Sequence, residues 1–174
     1  MEGRPLVRRA VRGRVATPVA REQALLFRVG EGLYGIGIRG MWEVLSPEGM
    51  TSLPTPQYQI CTALAYRGRR LPLVRLGELF GVSADTVPPN ARVLLTQGRG
   101  KPLGLLVDEV LGVVDIDPQR IAPMPALATV LSPALFRGLV GKDDRVVILV
   151  SEDGLGDMSE VANFSDGRAA RPEG

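Results

Sequence analysis

The stretch Ala24-Leu25-Leu26-Phe27-Arg28-Val29-Gly30-Glu31-Gly32-Leu33-Tyr34-Gly35-Ile36-Gly37-Ile38-Arg39-Gly40 decides the fold class, and it reads in two incompatible ways. Gly35 to Gly40 match G-x-G-x-x-G, a pattern used to hold dinucleotides. In that role the glycines occupy a turn that opens a long helix, whose N-terminus holds the pyrophosphate. Here Gly35 and Gly37 alternate with Tyr34, Ile36 and Ile38, so the period is two. That is a strand with one aromatic and aliphatic face and one glycine face, open to close approach by a neighbour. Pro47 ends any helix early, and Trp42 stands where the kinase form of the loop needs valine. The pattern is a chance match in a glycine-rich chain. The stretch predicts a hairpin instead, Ala24–Gly30 against Leu33–Ile38.

The flanking sequence continues in the same style. Met41–Leu45 is too short for a substantial helix, and Leu53-Pro54-Thr55-Pro56 is a rigid extended bend. Ile60–Tyr66 and Arg70–Leu76 form a second predicted hairpin through Arg67-Gly68-Arg69. Pro72 lacks an N–H for a ladder, which places its strand at an edge or turns its nitrogen outward. Leu76–Phe80 reads as a helical turn stopped by Gly81, and Ser83–Asn90 as a loop. Ala91–Gln97, a turn at Gly98–Lys101, and the apolar Leu103–Val114, expected to bend near Gly112, begin a second strand-rich half. Phe136–Gly141 and Arg145–Val150 close it around Lys142-Asp143-Asp144. The continuous Val146–Val150 run predicts a central strand buried on both faces. Nowhere is there sustained helical periodicity, so short strands at this spacing predict an all-β barrel or sandwich.

Composition narrows the chemistry. The chain has 174 residues and a typical apolar fraction of 45%, enough for one domain or two small subdomains sharing a core. It has no histidine, which removes the commonest general base, metal ligand and phospho-acceptor. The single cysteine, Cys61, permits no intrachain disulfide and fits a reducing cytoplasm. It lies in an apolar strand and reads as a buried structural thiol. Asp108, Glu109, Asp115 and Asp117 invite an acid–base reading, but Asp115 and Asp117 precede Pro118 and read as a solvated strand end. Neither a metal cluster nor a cofactor site is expected, and an enzyme is not. No apolar run reaches transmembrane length, and the Arg-rich Met1–Arg21 lacks the apolar stretch of a signal peptide.

Charge is unevenly placed. Residues 1–22 hold six arginines against Glu2 and Glu22, while residues 151–174 hold six acids against Arg168 and Arg171. The basic arm lacks aromatics for stacking on bases, so it reads as a solvated, disordered tail rather than a nucleic-acid arm. The expected organisation is a basic extension at 1–22, a folded body at 23–152 and an acidic, mostly flexible tail at 153–174.

Several stretches, in order, resemble the CheW family of chemotaxis coupling proteins. They are Phe27-Arg28-Val29-Gly30 through Ile38, Met41-Trp42-Glu43-Val44-Leu45, Leu53-Pro54, and Tyr66-Arg67-Gly68-Arg69-Arg70-Leu71-Pro72-Leu73-Val74. Leu76–Gly81, Phe136–Val140 with Arg145–Val150, and above all Gly104-Leu105-Leu106-Val107-Asp108-Glu109-Val110-Leu111-Gly112-Val113 complete the set. The resemblance covers residues 23–152. It implies two packed five-stranded SH3-like β-barrel subdomains with a few short helices. It also implies a non-catalytic adaptor without cofactors, which bridges the cytoplasmic tips of chemoreceptors and the regulatory domain of a CheA-type histidine kinase.

By position, the resemblance implies that Met41, Glu43, Arg67 and Gly68 contact partners. A guanidinium on a turn suits pairing with Glu43 or with a partner carboxylate. The chain departs from the family at Thr62, Ala65, Arg75 and Ser151, where glycine, asparagine, aspartate and an acid are usual. Arg75 reverses a charge near Arg67 on this reading and is a further candidate for partner choice. The departures point to a coupling protein of a dedicated or accessory system. The alternatives are a relative that binds only the kinase or competes with the main coupling protein, and a nucleic-acid adaptor using the basic arm.

Overall fold

The computed structural model describes residues 21–51, 61–82, 87–125 and 131–164. Most of the basic extension, Leu53-Pro54, part of the 83–90 loop and the last ten residues lie outside them. Among the described residues eleven strands fall into two sheets: β1 (Glu22–Val29), β2 (Gly32–Gly37), β3 (Glu43–Leu45), β4 (Met50–Thr51), β5 (Cys61–Tyr66), β6 (Arg69–Arg75), β7 (Arg92–Gly98), β8 (Lys101–Val107), β9 (Glu109–Ile116), β10 (Phe136–Lys142) and β11 (Arg145–Val150). Helices are short: α1 (Leu76–Leu79), α2 (Glu152–Gly156) and α3 (Ser159–Ala162). The all-β, two-subdomain architecture is the one the sequence predicts. One sheet has five strands in the order β10-β11-β2-β1-β9, and the other runs β3-β7-β8-β6-β5-β4, five strands with the two-residue β4 added at the edge.

The subdomains are not consecutive halves of the chain, as the sequence suggested. The first sheet takes β1 and β2 from one end of the chain and β9–β11 from the other, and the middle of the chain builds the second. The crossover is sharp. β8 pairs with β6 and β7, and β9 pairs with β1 in the other sheet, with only Asp108 between them. The bend in Leu103–Val114 is therefore at Asp108. Gly112, where it was expected, sits inside β9 at a β-bulge opposite Leu26 and Phe27.

Asp108 holds this junction. Its carboxylate accepts a 2.7 Å hydrogen bond from the Gly30 N–H, and its own N–H donates to the Arg28 carbonyl at 2.9 Å. Glu109 pairs with the Arg28 guanidinium, and Asp117 accepts from the Gln119 N–H. These carboxylates tie strands and turns together.

Three hydrophobic cores explain the long apolar runs. Ala24, Leu26, Val140, Val147 and Leu149 fill the first barrel, and Leu64, Leu71, Leu73, Val93 and Leu95 fill the second. Between them lies a larger core to which both sheets contribute, with Leu25, Phe27, Val29 and Ile36 meeting Val74, Leu94, Leu103, Leu105 and Val107. Successive residues of β1 thus face two different cores, so alternation is present but both phases are apolar. A ladder of rings crosses the same interface. Phe27 stacks on Tyr34 at 5.8 Å, Tyr34 on Phe80 at 4.7 Å, and Phe80 meets Phe136 at 5.8 Å.

Individual strand expectations vary in outcome. β11 lies between β10 and β2, as its run implies, with Val147, Leu149 and Val150 buried, but Val146 is 60% exposed. Gly35 provides close approach in β2, where an added Cβ would lie 3.0 Å from the Leu149 side chain. β6 is interior rather than at an edge. Its ladder with β8 starts at Leu73 opposite Gly104, which leaves Pro72 just outside it.

The folded body extends past residue 152, where the acidic tail was expected to begin. Leu155 is fully buried and Val161 nearly so, both in the inter-barrel core. α2 lies so close to β7 that a Cβ on Gly98 would meet the Glu152 carbonyl at 2.4 Å and the Gly156 backbone at 3.1 Å. The acids of this segment dominate its composition, and the few apolar residues that anchor it, Leu155, Met158 and Val161, are spaced among them.

Candidate functional site

The second sheet curls until its edges meet. β3 begins at the sequence Met41-Trp42-Glu43, with the Trp42 N–H donating to the Leu95 carbonyl at 2.7 Å and Glu43 opposite Leu95. β5 ends at Tyr66, and Arg67-Gly68 makes the tight turn into β6. Both turn residues have positive φ, +48° and +78°, the geometry of a two-residue type I′ turn. An arginine at the first of these positions accepts a conformation that L-residues adopt at some cost. The turn holds its guanidinium 5.1 Å from the centroid of the Tyr66 ring.

Glu43, Tyr66 and Arg67 come together there. The Tyr66 hydroxyl donates to the Glu43 carboxylate at 2.9 Å, and an Arg67 guanidinium nitrogen lies 4.0 Å from the same oxygen. The hydrogen bond to Glu43, first among several causes, raises the Tyr66 phenol above its ordinary value. Arg67 keeps 77% of its side chain exposed, so most of its donors face outward. Trp42, just before β3, and Val44 within it are the sequence neighbours of Glu43 and are 49% and 42% exposed. The cluster thus combines a carboxylate, a cation and a phenol, and the same barrel edge exposes Trp42 and Val44, whose side chains alternate with Glu43 along the extended chain. Such a surface suits protein recognition, where aromatic residues and arginine carry much of the binding energy.

The other candidates sit elsewhere. Met41 is half-buried and packs against the inter-barrel core. Arg75 is at the far end of β6 from the turn, six residues on from Arg69, which at strand rise is about 20 Å away. It is therefore not near Arg67, and its guanidinium pairs with Glu78 on α1 at 3.0 Å. Of the remaining departures, Thr62 is buried in β5 and Ala65 is exposed on the same strand. Ser151 has a structural use. Its hydroxyl accepts from the Gly154 N–H at 3.0 Å and caps α2, a role that suits serine as well as an acid. Cys61 is placed in β5, but its side chain is outside the described set.

The sequence reading did not single out Trp42, Val44 or Tyr66 as site residues. Trp42 is the lone tryptophan of the chain, and Tyr66 immediately precedes the Arg-Gly turn. Those two features were the available signals. Among the described residues, no group of three or more His, Cys, Asp or Glu is placed to hold a metal ion.

Two small curled sheets sharing a core, with a polar and aromatic cluster on an edge, define an all-β protein of two barrel subdomains. The model of the CheW-like domain matches residues 23–160, and the chain belongs to that family, whose members are non-catalytic scaffold proteins. It is 25% identical over 149 residues to the chemotaxis protein CheW of Klebsiella aerogenes, covering 86% of this chain and 90% of that one. It is 26% identical over 129 residues to the chemotaxis protein CheW of Helicobacter pylori, covering 74% and 77%. The crystal structure of the scaffolding protein TtCheW from Thermoanaerobacter tengcongensis superposes with a TM-score of 0.71 at 28% identity, covering 80% of this chain and 95% of that chain.

Proposed function

We propose that this protein is a cytoplasmic coupling scaffold of a chemosensory array, which joins chemoreceptor tips to the regulatory domain of a CheA-type histidine kinase. The observation that carries the reading is the cluster of Glu43, Tyr66 and Arg67 at the barrel edge. The cluster is exposed and carries mixed charge, and Trp42 and Val44 are exposed on the same edge strand segment. Gly68 serves it by permitting the turn that presents Arg67. Met41, two residues before Glu43, is half-buried against the inter-barrel core and so anchors the chain that leads into β3. Pull-downs with a receptor cytoplasmic fragment and, separately, with the kinase regulatory domain test the proposal, and both should be retained.

A narrower role, binding the kinase alone or competing with another coupling protein, draws on Arg75, whose charge is opposite to the family's usual aspartate and which lies well away from the Arg67 turn. Retention of the kinase domain without the receptor fragment would favour it.

A further inference from the structure

A concave cavity of about 450 Å³ lies on the second barrel, between the start of β6, the β7–β8 turn and the segment through α3 to Phe164. That volume falls within the range of small-molecule sites. Its floor is apolar: Leu71, Pro72 and Val161 are buried, and Pro102 and Phe164 half-buried. Its rim is cationic, with Arg69, Arg70, Arg99 and Lys101 against Asp157 as the one lining carboxylate among the described residues.

That carboxylate is already engaged. The Arg99 guanidinium donates to both Asp157 oxygens at 2.9–3.1 Å, and the Arg99 N–H donates to Asp153 at 2.8 Å. The pair fixes one wall of the cavity by tying the β7–β8 turn to the C-terminal helices. The lining keeps a net positive charge around a hydrophobic floor, which favours a ligand with an apolar body and an anionic head.

We propose that this cavity binds a small amphipathic anion, an aromatic or aliphatic carboxylate, whose apolar part lies against Phe164 and Val161 and whose head meets Arg70 and Lys101. The site is separate from the Glu43–Arg67 cluster, and its lining includes the first residues after the Arg67-Gly68 turn. An occupant therefore touches the base of the hairpin that presents Arg67.

The test is a calorimetric and amide-shift NMR titration of the full chain with 2-naphthoate and with its neutral isostere 2-naphthamide. For a ligand of this size, naphthoate affinity is expected on the order of 1 mM. Shifts should centre on Leu71, Lys101 and Phe164. The amide should bind about fivefold more weakly or worse, and Arg70→Glu and Lys101→Glu should each weaken naphthoate by about two- to fivefold. Both substitutions are at exposed positions, and unchanged melting temperatures will show that the fold is kept. Equal binding of acid and amide, shifts elsewhere, indifference to both substitutions, or no binding at 10 mM or so would each overturn the proposal.

Discussion

The Tyr66 hydroxyl, at the end of β5, donates a 2.9 Å hydrogen bond to the Glu43 carboxylate at the start of β3, and so joins strands from opposite sides of the six-stranded sheet. The contact closes the barrel on itself and sets the carboxylate beside the Arg67 turn. On the proposed reading, a partner would meet a carboxylate already oriented and a guanidinium 77% exposed.

Because Arg67 is largely exposed and approaches Glu43 only to 4.0 Å, the pair itself contributes little to folding. Arg67→Ala is expected to change stability by less than about 0.5 kcal/mol and to weaken partner binding by about 1–3 kcal/mol. Glu43→Ala should weaken the same partner. The double variant should cost less than the sum, since both residues serve one contact. Calorimetry on the receptor fragment and the kinase domain checks this, and strict additivity would separate the two residues into independent sites.

The Tyr66 phenol should titrate above its ordinary value of 10, chiefly because of the Glu43 bond. A raised folded-state value means that the folded protein holds this proton more tightly than the unfolded chain. The associated stability is present below the ordinary phenol value and is lost as pH rises through the raised one. Glu43→Gln should move the Tyr66 transition downward, read by NMR of ring-labelled tyrosine. An unmoved transition would show that the bond does not form in solution.

Arg75 pairs with Glu78, so Arg75→Asp sets two carboxylates against each other at i and i+3. A loss of about 0.5–2 kcal/mol is expected by chemical denaturation. If Arg75 also tunes partner choice, its effect on affinity should add to that of Arg67→Ala, because about 20 Å of strand separates them. Strong coupling between the two would contradict the separation.

The C-terminal helices should prove part of the fold. Leu155→Ala removes a fully buried side chain and is expected to cost about 2–5 kcal/mol. Ending the chain after Asp157 removes Val161 from the core, with a loss of about 2 kcal/mol and a melting temperature lower by about 4–8 °C. Unchanged melting in both would return this segment to the status of a tail.

The strand content was legible because hairpin turns announce themselves locally. Gly68, Gly100 and the Asp143-Asp144 pair all occupy the positive-φ conformations that such residues signal, and Arg67 and Arg99 are carried into them beside the glycines. The interleaving of the sheets was not legible, because pairing of β1 with β9 is a non-local event and both phases of β1 are apolar. The same property hid the sheet change at Asp108, whose carboxylate looks like a surface acid until its bond to Gly30 is seen. Glu43 and Arg67 were found through a resemblance. Tyr66 joins them only when the barrel closes, and Arg75 is parted from them by the length of β6.

The most direct test of the central claim is co-sedimentation. Receptor-containing membranes are mixed with a CheA-type kinase and increasing amounts of this protein, and kinase in the pellet is measured beside Arg67→Ala. Kinase incorporation that rises with the scaffold and falls by tenfold or so with Arg67→Ala is the expected result, matching a contact of about 1–3 kcal/mol. Kinase sedimentation that is independent of this protein at every ratio would contradict the account.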